Sequence, residues 1–242
     1  MRHVVTTPVE GCRPFLALAI LASVLVISGC TIPTVDMTSP EQGDYIVKTY
    51  KWKYKSRTYT WEIPIPSGLY EQCRGLPRRP EYEEYVTDTR DDEYLGLLCG
   101  KLEETEAKCD WSGKIDFVLS FVQSLEYTDD NLTGFDEYPR YPVETLVDEG
   151  GDCEDTSILF VSIVRELGYG VALLRFNEAE HMAAGVSILP DVISGWSKSY
   201  TLTYYEKGGK YYAYCETTGS GWRIGEKPEW IGSEGAVVLE VG

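Results

Sequence analysis

The chain has 242 residues, enough for one well-buried domain after a targeting segment is set apart. Its hydrophobic content of 43% indicates a globular protein. Asp and Glu number 39 against 22 Lys and Arg, which gives a net charge of −17. Such a surface repels nucleic acid, so a nucleic-acid partner is not expected, and the charge by itself assigns no other partner.

The first residues form a separate segment. Two arginines precede an uncharged apolar run over residues 15–27, and the run ends in the sequence ISGC at Cys30. This pattern predicts a lipoprotein signal peptide over residues 1–29 and lipidation of Cys30. Residues 30–44 would then be the lipidated cysteine and a tether, holding the protein on the membrane. An uncleaved anchor is the alternative, and either reading places the domain on the extracytoplasmic face of the cell membrane.

Export makes disulfides possible. Without Cys12 of the signal and the lipidated Cys30, five cysteines remain, an odd number that leaves one thiol unpaired. We expect four of them to form disulfides, with the connectivity open, although Cys99 with Cys109 would close a short loop. Cys215 also suits a buried free thiol. The four candidates are Cys73, Cys99, Cys109 and Cys215.

Residues 45–242 are interpreted as a single domain, in which residues 45–110 hold an N-terminal hairpin and a helix. Strict alternation from Tyr45, followed by a second run over residues 59–63, predicts a β-hairpin with one buried aromatic face. The lysines of the opposite face are interpreted as solvated. The alternative is that they bind an anionic surface. The buried face would carry Tyr50, Trp52 and Tyr54.

The rest of the chain alternates between helices and strands. Asp91 can cap a helix that ends near Thr105, and a second helix is predicted over residues 114–125. Residues 111–242 are interpreted as the core of an α+β domain, with strands predicted over residues 171–176, 181–188, 200–205 and 210–216. Gly168 is expected to end the helix that precedes the first of these strands.

The sequence EGGDCEDTSILF, residues 149–160, places a cysteine at the start of that helix. Asp152 is a good N-cap and Asp155 stands in a capping-box position, so Cys153 would be the first helical residue. Free backbone N–H groups and the helix dipole stabilise a thiolate there. The neighbouring acids oppose this effect, so a nucleophilic Cys153 would need a cationic partner.

His181 is the only histidine outside the predicted signal, and it opens the strand HMAAG, whose small residues leave room for a helix end. A Cys–His pair usually needs a third group that orients the imidazole. Glu216, at the end of a later strand, can present a carboxylate to His181. The plainer interpretations are a packing histidine and a surface acid.

The sequence EYPRYPVETLVDEGGDCEDTSILFVSIVRELGY, followed by HMAAGV and YYAYCETTGSGW, resembles the transglutaminase-like cysteine peptidase superfamily, in particular its exported members. This resemblance implies a papain-like α+β core in which the nucleophile helix packs on an antiparallel sheet. It also implies that Cys153 is the nucleophile, His181 the general base and Glu216 the orienting acid. Gln123, in FVQSL, is a candidate oxyanion donor or simply a glutamine on a helix surface.

Three kinds of function fit these residues. A cysteine-dependent peptidase or amidase that forms a thioester is the first, with a peptide or protein as substrate. A transglutaminase that passes the acyl group to an amine is the second, and a catalytically silent binding module is the third. We expect no cofactor and no metal, since the sequence has no EF-hand spacing and only one histidine for a zinc site.

Overall fold

The computed structural model describes residues 44–105, 109–129, 138–233 and 235–242. In chain order, the helices and strands are β1 (Tyr45–Tyr54), β2 (Arg57–Pro66), α1 (Ser67–Arg74), α2 (Glu83–Thr87), α3 (Asp92–Thr105), α4 (Trp111–Val122), β3 (Glu126–Tyr127), α5 (Pro142–Asp148), β4 (Gly150–Gly151), α6 (Cys153–Glu166), β5 (Val171–Phe176), β6 (His181–Ile188), α7 (Pro190–Ser194), β7 (Tyr204–Lys207), β8 (Lys210–Cys215) and β9 (Val237–Glu240). A short 3-10 turn, Glu229–Ile231, precedes β9.

The predicted N-terminal hairpin is formed by β1 and β2, which pair antiparallel. Tyr50, Trp52 and Tyr54 are buried, as their alternation predicts, and the lysines between them are exposed. The Trp52 ring packs against Phe117 and Phe121 of α4, with ring centroids 5.8 and 5.2 Å apart. The aromatic face therefore joins the hairpin to the helical layer through apolar burial.

The two predicted helices of the N-terminal half are present, the first with the predicted ends and the second with shifted ends. The first, α3, begins directly after Asp91, whose backbone carbonyl accepts from Leu95 N–H at 2.8 Å. The second, α4, begins at Trp111 and ends at Val122, three residues earlier than predicted at both ends. The earlier start has a local cause, because the Asp110 side chain caps the helix by accepting from Gly113 N–H at 2.8 Å.

The α+β class and its central arrangement are confirmed. Helix α6 is buried along nearly its whole length and packs on the sheet, chiefly against β6. The sheet has the strand order β7-β8-β6-β5-β9, and every neighbouring pair is antiparallel. Strand β9 was not predicted, and β7 is shorter than expected. Because β6 lies in the middle of the sheet and under α6, its first residue meets the beginning of that helix.

The predicted disulfides are wrong. All five described cysteines are thiols. Cys73 lies on α1, whereas Cys99 lies on α3 with its Sγ 3.4 Å from the Ile163 carbonyl oxygen of α6. Cys215 is fully buried in the sheet, opposite Ala184. These side chains fill separate parts of the apolar core, where cysteine behaves as a small hydrophobic residue.

The signal peptide, the lipidation of Cys30 and most of the tether lie outside the described residues, and the proposed division of the chain stays a prediction. Among the helices that the structure describes, none has the length and apolar character needed to cross a bilayer.

Candidate active site

The two glycines before Cys153 lie where the chain packs too closely for a larger residue. Strand β4 pairs in parallel with β3, which places Gly150 opposite Glu126 and Gly151 opposite Tyr127. A Cβ at Gly150 would lie 2.5 Å from the carbonyl oxygen of Glu126, and one at Gly151 would lie 2.5 Å from the Cβ of Asp155. A larger residue at position 150 would push β3 away, and one at position 151 would displace Asp155 at the start of α6.

The beginning of α6 is fixed as the sequence predicts. Asp152 caps the helix by accepting from Glu154 N–H at 3.1 Å and from Asp155 N–H at 3.2 Å. The Asp155 carboxylate accepts from Asp152 N–H at 3.3 Å, and this second bond completes a capping box. Cys153 is therefore the first residue of the helix, and its backbone N–H points out of the helix end rather than to a carbonyl within it.

The three acids around Cys153 play different parts. The carboxylate of Asp155 is buried and is paired with the guanidinium of Arg140, and it also accepts from the Arg140 backbone N–H at 2.7 Å. Asp152 is occupied as the helix cap. Glu154 contacts the sulfur, with its Oε2 2.8 Å from Cys153 Sγ. The sequence did not separate these roles, because all three residues are acids within one turn.

The Cys153 thiol is almost completely shielded, with 6% of its surface exposed. The backbone N–H of Met182, next to His181, donates to Sγ at 3.4 Å. Burial and then the charge of Glu154 raise the pKa of the Cys153 thiol well above its ordinary value, and the bond from Met182 only partly opposes them. The expected lowering by the helix end is therefore not the net result. A cationic partner is needed before a thiolate can form.

His181 and Glu216 form a direct pair. His181 Nε2 lies 3.1 Å from Glu216 Oε2, and both side chains are buried. Tyr214 O–H donates to the same carboxylate oxygen at 2.5 Å, and Thr218 donates to Oε1 through its hydroxyl at 2.7 Å and its backbone N–H at 3.0 Å. Burial alone would raise the pKa of Glu216, but the hydrogen bonds and the histidine lower it, so Glu216 stays ionised.

Because Glu216 takes Nε2, the Nδ1 atom of His181 is the ring nitrogen that can exchange a proton with another group. The ring contacts Phe176, whose centroid lies 6.4 Å away, and Trp230, whose ring meets it edge-on at 4.9 Å. A carboxylate on one ring nitrogen fixes the tautomer and stabilises the imidazolium. The arrangement can thus accept a proton from a thiol and keep it as a charged imidazolium.

Hydroxyl groups join the three elements that carry these residues. Thr217 Oγ1 lies 3.0 Å from the hydroxyl oxygens of both Thr156 and Ser157 on α6. Ser157 also donates to the backbone carbonyl of Met182 at 3.3 Å. The end of β8, the start of β6 and the first turn of α6 are therefore held together by buried polar contacts. Nothing in the sequence beyond the adjacency of these residues to Cys153, His181 and Glu216 indicated this role.

The structure argues against Gln123 as the oxyanion donor. Its side-chain nitrogen donates to the backbone carbonyls of Glu216 at 2.8 Å and Trp222 at 3.0 Å. Its Oε1 accepts from Gly221 N–H at 3.0 Å, which fixes the orientation of the amide. Both amide protons are thus committed. Gln123 is buried and anchors the loop after Glu216 to the end of α4.

Two exposed aromatic residues flank the site and were not singled out from the sequence. Tyr127 on β3 is 59% exposed, and its pKa is raised to about 12, first by burial and then by the nearby Cys153, Asp152 and Glu154. Trp230, in the 3-10 turn against His181, is 61% exposed. Large apolar rings open to solvent beside a reactive group are typical of a binding cleft.

Comparisons with known proteins give little further information. No family model matches the chain, and no curated protein matches it. Among solved structures it is similar to EGTA-treated LapG of Legionella pneumophila, at 18% identity and a TM-score of 0.37, over 73% of this chain and 85% of that chain. A second structure of this LapG shows 18% identity, and its calcium-bound form 19%, each with a TM-score of 0.37 over 72% of this chain and 86% of that chain. Likeness at this level assigns neither a family nor an activity.

Proposed function

We propose that this protein is a cysteine-dependent amide hydrolase, a peptidase or amidase, that acts through Cys153, His181 and Glu216. The observation that carries the proposal is the buried pair of His181 Nε2 and Glu216 Oε2 at 3.1 Å, formed one residue away from a backbone N–H that contacts Cys153 Sγ. A purely structural histidine would not need an ionised carboxylate held by three further hydrogen bonds.

The proposed reaction begins with transfer of the Cys153 thiol proton to His181 Nδ1. The thiolate attacks the amide carbonyl carbon, and the new charge on the oxygen is met by the outward-pointing backbone N–H of Cys153. The imidazolium of His181 then returns its proton to the amide nitrogen as the C–N bond breaks, leaving a thioester on Sγ. Throughout, the carboxylate of Glu216 stabilises the charged imidazole.

Water completes the cycle in a hydrolase. His181 takes a proton from water, the hydroxide attacks the thioester carbonyl, and the C–S bond breaks as the proton returns to sulfur. A transglutaminase would differ only in the attacking group, which would be an amine. The nature of the second substrate therefore separates these two functions, and a silent binding module would form no thioester at all.

We also propose that the enzyme is anchored by lipid at Cys30 and works on the extracytoplasmic side of the membrane. This part is supported by the apolar run and the ISGC sequence. A Cys30→Ser substitution should change processing or release the protein from the detergent phase. Unchanged processing and partitioning would favour an uncleaved anchor.

Thioester trapping tests the reaction. The full chain is incubated with a peptide mixture, quenched in acid and analysed by mass spectrometry for acylated Cys153, with and without an added primary amine. We expect acyl adducts in the natural protein and none in Cys153→Ala or His181→Ala. Cys99→Ala, which removes a buried thiol from α3, is the matched control and should behave as the natural protein does. Products that incorporate the amine would identify a transferase. The absence of any adduct on Cys153 would favour a catalytically silent binding module.

A further inference from the structure

Glu154 stands out because its carboxylate has no cationic partner within the part of the chain that the structure describes. Its contact there is the Cys153 thiol, at 2.8 Å. The two neighbouring acids are already engaged, Asp152 as the helix cap and Asp155 with Arg140. Glu154 is half-buried, so its charge is partly removed from water beside the nucleophile. A carboxylate in this position does not help a thiol to ionise.

Structural roles do not account for the Glu154 side chain. The start of α6 is held through the backbone N–H of Glu154, which donates to Asp152, and not through its carboxylate. A negative charge in the first turn of a helix does stabilise the helix slightly, but this effect does not require the carboxylate to lie against the sulfur. The placement of the carboxylate against the sulfur therefore has another explanation.

We propose that Glu154 recognises a cationic side chain of the substrate, a lysine ammonium or an arginine guanidinium, and that this recognition withdraws the carboxylate from the thiol of Cys153. In the structure the Cys153 thiol donates its proton to the Glu154 carboxylate. Once the carboxylate turns to a substrate cation, that proton can pass to His181 Nδ1 instead. The inference rests on the proposed function and adds its substrate class: a peptide with a basic residue close to the bond that is cut.

Electrostatics favour this arrangement. A cation paired with Glu154 cancels the charge that opposes the thiolate, and it also acts directly on the thiolate as a nearby positive charge. Tyr127, which lies opposite Gly151 just before the start of α6, offers an exposed aromatic surface. Lysine and arginine pack their aliphatic stems on such rings and gain from the cation–π contact. A basic substrate would thus activate the nucleophile that attacks it.

Alkylation with reagents of different charge tests the inference without a known substrate. The full chain is treated at one pH with iodoacetate, iodoacetamide and a haloacetamide that carries an ammonium group, and the modified Cys153 peptide is quantified over time. Glu154→Gln is the test variant. Glu62→Gln is the matched control, since it removes the same charge from the exposed face of the hairpin. Thermal unfolding of each variant verifies the fold.

For the natural protein we expect the cationic reagent to modify Cys153 about fivefold faster than the neutral one relative to their rates with a free thiol, the scale of one partly exposed ion pair. In Glu154→Gln this preference should fall severalfold, while the rate with the neutral reagent should rise. Glu62→Gln should keep both values. An unchanged preference for the cation, or a slower neutral reaction, in Glu154→Gln would overturn the inference.

His181→Ala separates this inference from the proposed function. If alkylation of Cys153 depends on His181 but not on reagent charge, the Cys–His pair stands and the role of Glu154 is wrong. If alkylation does not depend on His181, the proposed catalytic function fails first. A peptide pair completes the test, because a lysine peptide should protect Cys153 from iodoacetamide better than its norleucine counterpart. Equal protection by the two peptides would also contradict the inference.

Discussion

Replacing Glu216 with glutamine tests the centre of the proposed mechanism. Oε2 of Glu216 accepts from both His181 and Tyr214, whereas Oε1 accepts twice from Thr218. A glutamine that keeps its oxygen toward Thr218 must turn its NH₂ group toward two donors. The bond to His181 is then lost or the imidazole must change its tautomer, and no negative charge remains to stabilise the imidazolium.

The magnitude follows from the lost charge-assisted bond. A hydrogen bond to a charged group contributes about 1.5 to 3 kcal/mol, and leaving a buried donor unsatisfied adds a similar cost. A loss of about 3 to 5 kcal/mol in the stability of the imidazolium lowers the rate by about 10² to 10⁴ at 1.36 kcal/mol per tenfold. Tyr214→Phe removes only one neutral donor from the same carboxylate, so we expect about a tenfold loss there.

The rate of thioester formation at Cys153 and the pH profile of Cys153 alkylation are the assays. Glu226→Gln is the matched control, because Glu226 pairs with Arg223 at the surface of the loop that follows Glu216. We expect Glu216→Gln to retain residual activity and Cys153→Ala and His181→Ala to have none. If Glu216→Gln and Glu226→Gln were equally active, Glu216 would not orient His181, and the reasoning from the buried pair would be refuted.

Three further predictions concern residues around the site and in the core. Gln123→Ala should lower the free energy of unfolding, measured by denaturant titration, by about 3 kcal/mol, because it removes three hydrogen bonds of about 1 kcal/mol each. Lost turnover at unchanged stability would instead support the oxyanion role of Gln123. Burial raises the pKa of Asp91 from 3.8 to about 7, so the folded state holds a proton that the unfolded state releases, and stability falls as pH rises through that interval. Asp91→Asn should therefore exceed the natural protein in stability at pH 8 by up to about 4 kcal/mol and match it near pH 4, and parallel pH curves would contradict this. Unfolding without reductant should leave Cys73, Cys99 and Cys215 open to alkylation, and a bridged peptide in a non-reducing digest would refute the structure at that point.

Local patterns in the sequence were sufficient for most of the elements. The alternation in β1 predicted which aromatic residues are buried, because successive side chains of a strand point to opposite faces. The capping residues Asp152 and Asp155 predicted the first residue of α6, because a capping box is a local motif. Both ends of α4 were misplaced, because the Asp110 cap at its start was not recognised and the apolar run at its end carries no sharp boundary.

Contacts between distant segments were not predicted by these local patterns. The pairing of cysteines depends on which side of the core each one faces, and the spacing in the chain does not encode this, so the disulfide prediction was wrong. The true role of Gln123 is likewise defined by three backbone groups of residues about a hundred positions away. Polar networks of this kind depend on the relative placement of α4, α6 and the end of β8.

The sequence by itself determined that Cys153 begins a buried helix, that His181 begins a strand and that Glu216 lies at the end of one, because helix caps and strand alternation act over a few residues. Only the tertiary structure decided that His181 pairs with Glu216 and that Glu154, rather than either neighbouring acid, contacts the thiol. The physical reason is that these interactions depend on burial and on atoms within hydrogen-bond distance. Both are properties of how the sheet packs on α6, and they are not present in any single stretch of the chain.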